Sequence, residues 1–267
     1  MSPQILKEHI QKCKSATSEP FGVNVPLLYS GIHEQMKIIL EENVQIVFTS
    51  AGNPAVWTKQ LKDKGITVVH VVSSKKFAMK AEAAGCDAVV AEGFEAGGHN
   101  GREETTTMVL LPLVCNAVNI PVIAAGGVAT GRQMLAAMVL GAEGVQVGSR
   151  YAASTEGSSH ENFKNAIINA QEGDTMLTMK QITPVRMIKN KFYQQIVQAE
   201  EQGNALEPLK DLAGKGRARK GMFEGDMIEG ELEIGQVSAL INKIQPAAEI
   251  THDLWDEFSH GLAQPLK

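Results

Sequence analysis

The stretch of this chain best suited to chemistry is a glycine-rich segment that carries a carboxylate and a histidine. Residues 88–101 read AVVAEGFEAGGHNG, so an apolar run leads into Glu92, and His99 follows a pair of glycines. The run is typical of a buried parallel strand, and four glycines in nine residues disfavour a helix after it. We expect a loop whose main chain approaches a flat or phosphorylated ligand that the imidazole faces. The alternative is a surface loop with an incidental histidine.

Two further glycine turns suit a phosphate group. Gly126-Gly127 and Gly148-Ser149 each follow an apolar run, 22 positions apart. Backbone N–H groups at such turns bind phosphate oxygens, and a Cβ would keep the oxygens away. We therefore predict a phosphate site here, with two tight turns lacking a ligand as the alternative.

Alternating strands and helices must position these residues. Six apolar strands are predicted to begin near residues 21, 46, 67, 88, 121 and 144, each separated from the next by a helix. Strict alternation indicates parallel strands with right-handed crossovers. Polar or glycine-rich clusters follow every strand, which favours a (β/α)8 barrel over an open sheet with one ligand-binding switch point.

Composition limits the classes of function. The 267 residues are 43% hydrophobic and carry a net charge of −5, which argues against nucleic-acid binding. The three cysteines have no metal-ligand spacing, so no metal site is predicted. No apolar run reaches 18 residues and no signal peptide is evident, which predicts a cytoplasmic protein without a membrane partner.

Three motifs together carry a family resemblance: AEGFEAGGHNG at 91–101, PVIAAGG at 121–127 and VQVGSR at 145–150. The chain resembles the flavin-dependent enoyl-acyl-carrier-protein reductase II and nitronate monooxygenase superfamily, whose members are (β/α)8 barrels that bind FMN. Glu92 and the long tail resemble the reductase more closely, since monooxygenases more often have Gln at that position.

The resemblance implies roles for individual residues. His99 would face the substrate as the catalytic residue, and Asn24, Glu92 and Gly97 would lie near the flavin ring or the ribityl chain. The FMN phosphate would be held by the two glycine turns, formed by Gly126, Gly127, Gln146, Val147, Gly148 and Ser149.

The implied activity is reduction of the double bond of an enoyl thioester in fatty acid biosynthesis, with FMN as cofactor and NAD(P)H as co-substrate. The substrate would be a small molecule or would be carried on acyl carrier protein, and a homodimer is left open. One alternative is oxidation of alkyl nitronates by FMN and O₂. Another is a non-catalytic remnant that binds phosphate ligands.

The chain is predicted to divide at residue 174. Residues 1–173 would form the FMN-binding barrel, here with six of eight strands, because the family's first strand, helix and second strand are missing before Ser2. Residues 174–267 would form a mostly helical extension over the barrel mouth. It would contain a mostly helical stretch at 175–199, interrupted by Pro184, and helices at 231–244 and 247–258. Five basic residues between 210 and 220 would be either a solvated loop or a site for NADPH phosphate or an acidic carrier protein.

Overall fold

A computed structural model describes residues 2–203 and 206–264 of the chain. Its main sheet has six strands in the hydrogen-bonded order β1-β2-β3-β4-β6-β7, and their registers are parallel from β1 to β4. The predicted class, a (β/α) barrel with six of its eight strands, is confirmed. The six strands are β1 (Gly22–Pro26), β2 (Ile46–Ser50), β3 (Thr67–Val72), β4 (Ala88–Glu92), β6 (Val122–Ala125) and β7 (Gly144–Gln146).

Helices connect successive strands, and local sequence signals set their starts. The Ser2 side chain accepts a hydrogen bond from the Ile5 N–H, and Thr130 and Gln133 form a capping box at the start of α6 (Gly131–Val139). The α-helices up to residue 169 are α1 (Pro3–Ala16), α2 (Ile32–Glu41), α3 (Thr58–Lys62), α4 (Lys75–Ala83), α5 (Thr107–Cys115), α6 (Gly131–Val139), α7 (Ser149–Ala152) and α8 (Glu161–Asn169), with a 3₁₀ turn at Pro54–Val56.

The chain forms two compact units. The first consists of Met1–Ala91 and Leu113–Ile123, and its core is built on β1 to β4 with buried faces of α1, α2 and α4. The second consists of Glu92–Pro112 and Ala124–Lys267. One of its apolar clusters packs α8 against the segment that follows residue 230, with Phe163, Ile167, Leu232 and Ile234 almost fully buried.

The tail contains strands where helix was predicted. Residues 175–199 form β8 (Thr175–Thr178) and β9 (Val185–Ile188) before α9 (Lys191–Glu201) begins. β9 pairs antiparallel with β8 on one edge and with β5 (Gly98–His99) on the other, giving a small second sheet. The helical prediction is confirmed for residues 191–199 and wrong for the two strands, because the strands gain their hydrogen bonds from paired strands, which local propensity does not reveal.

The prediction of a helix at 231–244 was also wrong. This segment is extended at its start, where Glu233 forms an antiparallel bridge with Met187, and it continues into a 3₁₀ turn at Gln236–Leu240. The final helix is confirmed as α11 (Ala247–Ala263), after α10 (Leu206–Ala213) and a π-helical turn at Arg219–Phe223. Among the helices that the structure describes, none is both long and apolar enough to cross a membrane.

Candidate functional site

Glu92 and His99 mark the two ends of one loop in the second unit. Glu92 ends β4 and is half-buried, and burial raises the pKa of its carboxyl to about 7. His99 is exposed and lies opposite Val185 at the end of β5. The predicted loop therefore presents a carboxyl group close to its titration point and an accessible imidazole.

A buried arginine fixes the middle of this loop. The Arg186 guanidinium donates hydrogen bonds of 3.1 and 3.0 Å to the Phe94 carbonyl oxygen and lies 4.4 Å from the centre of the Phe94 ring. Only 1% of Arg186 is exposed, and burial lowers the pKa of its guanidinium. Because a buried charge needs its hydrogen bonds, the loop is held tightly to β9.

The loop is also tied to the first glycine turn. The Glu95 carboxylate accepts hydrogen bonds from the backbone N–H and the hydroxyl of Thr107, and the same hydroxyl lies 3.0 Å from the Gly126 carbonyl oxygen. A Cβ on Gly126 would come within 2.8 Å of the Gly93 carbonyl oxygen. The histidine loop and the Gly126-Gly127 turn are therefore packed directly against each other.

The backbone conformation favours glycine at the first predicted phosphate turn but not at the second. Gly126 and Gly127 have φ of +78° and +72°, a backbone conformation that itself favours glycine. Gly148 has φ of −103°, is exposed, and a Cβ there would have no protein atom within 4 Å. The space above Gly148 is therefore open to an outside group, as a phosphate cradle requires.

Other side chains join the second turn to its surroundings. The buried Ser149 hydroxyl accepts a hydrogen bond of 3.1 Å from the Gly235 N–H. Arg150 donates to the Ala129 carbonyl oxygen, beyond the first turn, and pairs with Asp253 of α11 at 2.8 Å. Both glycine turns are thus fixed by neighbours within the second unit.

Two acidic residues that the sequence interpretation missed lie beside the histidine loop. Burial, together with the neighbouring Glu233, raises the pKa of Glu231 to about 7, while the charges of His99 and Arg217 oppose that rise. Burial also raises the pKa of Glu233, whose Oε2 atom lies 2.6 Å from the Cβ position of Gly98. The alternation of Glu231 and Glu233 with Leu232 and Ile234 was the signal of an extended strand.

Nine of the ten predicted site residues lie in the second unit. Gly97 is exposed, and a Cβ there would overlap the backbone of Ile234, so protein packing already explains that glycine. Gln146 is exposed and Val147 is half-buried, at and just after the end of β7. Asn24 is exposed on β1 of the first unit, and its role near a flavin stays a prediction.

The basic run at 210–220 has partners for most of its charges. Lys210, Arg219 and Lys220 pair with Glu207, Glu224 and Asp226 at 2.7, 2.9 and 3.0 Å. Arg217 lies 4.8 Å from the centre of the Phe192 ring and 2.9 Å from the Glu229 carbonyl oxygen. These contacts favour a structural role for the run over binding of an anionic ligand.

Comparison with known proteins identifies relatives of this arrangement. The family model of nitronate monooxygenase matches residues 27–257. A probable nitronate monooxygenase of Staphylococcus saprophyticus is 33% identical over 79% of this chain. The chain spans 66% of that relative's own length, which is slightly less than two thirds.

Solved structures with a similar fold include members of the same group of enzymes. FabK from Thermotoga maritima is 40% identical, with a TM-score of 0.92 over 98% of this chain and 83% of its own. A nitroalkane oxidase from Streptomyces ansochromogenes has a TM-score of 0.81 over 98% of this chain and 86% of its own. At 24% identity, it supports the fold alone. With 231 matched residues out of 267, this chain belongs to the nitronate monooxygenase family, whose members are FMN-dependent oxidoreductases.

Proposed function

We propose that this chain is an FMN-dependent reductase of enoyl thioesters that takes its reducing equivalents from NAD(P)H. The observation that carries the proposal is the 40% identity to FabK, an enoyl-acyl-carrier-protein reductase II, over 98% of this chain. Glu92 in the motif at 91–101 supports the same choice, since the resemblance associates Gln there with monooxygenases.

The residues of the second unit fit FMN. The open space above Gly148 and the adjoining Gly126-Gly127 turn would receive the phosphate, and Glu92 would lie toward the ring and the ribityl chain. When bound, FMN supplies the hydride chemistry that no side chain of this chain can perform. The protein's own contribution is to orient the cofactor and the substrate and to handle a proton.

His99 is the residue we assign to the proton. Its imidazole is exposed at the end of the loop, while Arg186 and the Glu95–Thr107 contacts hold the loop in place. In the reductase, the imidazole would donate a proton to the reduced substrate or polarise the thioester carbonyl. Imidazole is suited to either task near neutral pH.

Oxidation of alkyl nitronates is the second candidate. It is favoured by the family model and by the curated relative from Staphylococcus saprophyticus, which is named a probable nitronate monooxygenase. In this reaction, His99 would act as a base on the same scaffold. The third possibility, a remnant that binds phosphate ligands without catalysis, predicts neither reaction.

The candidates differ in what they consume. After FMN is added, the reductase oxidises NAD(P)H under anaerobic conditions only when an enoyl thioester is present, carried on coenzyme A or on acyl carrier protein. The monooxygenase consumes O₂ with an alkyl nitronate and needs no nicotinamide. Turnover of the nitronate alone would replace our proposal with the second candidate, and a chain with bound FMN but neither turnover would favour the remnant.

A further inference from the structure

The outer face of α4 combines lysines with exposed apolar side chains. Ala78 and Ala81 are fully buried, and the residues on the opposite side of the helix are exposed. Met79, which is 49% exposed, is the apolar centre of that side, and the exposed Phe77 flanks it with its ring centre 5.9 Å from Lys80 Nζ. This face borders an open depression of about 530 Å³, which is lined by Lys75, Lys76, Met79, Lys80 and Ala83.

The lysines of this face contribute no ion pair to the fold. Within the part of the chain that the structure describes, no carboxylate pairs with Lys75, Lys76 or Lys80. The acidic residue of α4, Glu82, is engaged elsewhere, since it accepts a hydrogen bond of 2.6 Å from the Asn119 N–H. The three positive charges are therefore left to solvent or to a partner.

Helix electrostatics do not explain why two of these lysines stand where they do. The Ser74 side chain caps α4, so Lys75 and Lys76 occupy its first turn, which contains no acidic residue. The positive end of the helix dipole lies there and disfavours cations. The turn also follows the carboxyl end of β3, the edge of a barrel sheet at which ligands bind. A role in binding accounts for this position, whereas a role in stabilising α4 does not.

We propose that this face of α4 is a docking surface for an acidic protein, and that the protein is the carrier that bears the enoyl thioester. Carboxylates of the carrier would pair with the three lysines around an apolar contact at Met79. The identity of the carrier rests on the proposed function. The basic docking surface is a property of α4 itself.

The charge of the whole chain favours a small acidic partner over a broad anionic surface. The net charge of −5 means that a membrane of anionic lipids or a nucleic acid would be repelled by much of the remaining surface. The nine residues of α4 extend about 13 Å, which suits contact with a single element of a small protein.

The first test measures binding by titration calorimetry. An acidic acyl carrier protein loaded with a crotonyl thioester is titrated into the whole chain, with FMN present and NAD(P)H absent. We expect the double variant Lys76→Glu/Lys80→Glu to weaken binding about tenfold or more, because two attractive contacts become repulsive. Binding to the parent protein should also weaken as salt is added.

A second double variant, Lys37→Glu/Lys59→Glu, is the matched control. It changes the net charge by the same amount, but it reverses exposed lysines that already pair with Glu41 and Asp63. Its affinity for the carrier should differ from that of the parent by less than about twofold.

Two results of these titrations would overturn the docking surface. One is the absence of carrier binding to the parent, and the other is equal binding by the parent and by Lys76→Glu/Lys80→Glu. If that variant instead keeps carrier binding and loses binding to phosphatidylglycerol vesicles, the face belongs to a membrane contact and the proposal is wrong.

Turnover separates this inference from the proposed function. The crotonyl thioester of N-acetylcysteamine presents the same double bond without a charge or a carrier. We expect the ratio of kcat/KM for the carrier-linked thioester to that for the small thioester to fall about tenfold in Lys76→Glu/Lys80→Glu, through a higher KM. If the parent turns over neither thioester, the proposed function fails and the binding titration still decides the docking. If it turns over both and the variant keeps the ratio, the docking surface fails and the proposed function stands.

Discussion

His99 lies exposed at the end of a two-residue strand, so its side chain contributes little to packing. We predict that His99→Ala leaves FMN bound and the melting temperature nearly unchanged, while turnover falls by about two to four orders of magnitude. Absorbance of bound flavin, thermal melting and steady-state rates measure the three effects. Loss of FMN or unfolding of the variant would make His99 a structural residue.

His70 is the opposite case, as its position within an apolar strand predicts. It is 4% exposed on β3, and its Nδ1 atom lies 2.7 Å from the Thr49 hydroxyl. We predict that His70→Ala lowers the free energy of unfolding by roughly 2 to 4 kcal/mol, since it leaves a cavity and removes a buried hydrogen bond. Chemical denaturation measures the loss, and a variant as stable as the parent would contradict the assignment to the core.

The same residue should make the protein sensitive to acid. Burial lowers the pKa of His70 to about 4, so between that pH and about 6.5 the unfolded chain binds a proton that the folded chain does not. Stability from this group is complete above pH 6.5 and is lost as the pH falls toward 4, by about 3 kcal/mol in total. The free energy of unfolding, measured by denaturation at several pH values, should therefore depend less on pH in His70→Ala than in the parent protein over this window.

At the scale of elements, the turn after β7 offers a cleaner probe of phosphate binding than the turn after β6. A side chain at Gly127 would strain a left-handed backbone, whereas Gly148 has an ordinary φ and open space. We predict that Gly148→Val weakens FMN binding roughly tenfold or more, equivalent to about 1.4 kcal/mol, and changes unfolding free energy by less than about 0.5 kcal/mol. Flavin titration measures the FMN affinity, and chemical denaturation measures the free energy of unfolding.

Gly31→Val is the matched control for that substitution. Gly31 precedes α2 in the first unit, with φ of −92° and no atom within 4 Å of a Cβ. It should leave FMN affinity unaltered. Equal affinity in the Gly148 and Gly31 variants would remove the turn after β7 from the phosphate site.

Elements with local signals were predictable, and those stabilised by distant partners were not. The run at 67–72 has β-branched residues at five of six positions, and the Ser74 side chain caps the next helix by accepting a hydrogen bond from the Phe77 N–H. β9, by contrast, contains Arg186, whose burial depends on a carbonyl oxygen 92 positions earlier. The glycines and His99 of the candidate site could be proposed from residue type and stay predictions, whereas Glu231 and Glu233 reach the histidine loop only through tertiary pairing.

For the whole molecule, cofactor binding should appear as added stability. A ligand that binds only the folded state stabilises it by about 2.7 kcal/mol at a hundredfold excess over its Kd, which raises the Tm of a chain this size by several degrees. We predict such a rise with FMN and a smaller one with riboflavin, which lacks the phosphate. Equal shifts with both compounds would show that the glycine turns contribute nothing to affinity.

The pairing of β5 with β9 also sets the order in which the site can form during synthesis. The partner of His99 on β9 is Val185, 86 residues further along the chain, and the carboxylates of the 231–234 segment follow later still. At typical rates of translation, the ribosome needs on the order of ten seconds to pass from His99 to that segment. The histidine loop must therefore wait as an unpaired strand edge on the nascent chain, and anything that binds such an edge has this interval in which to act.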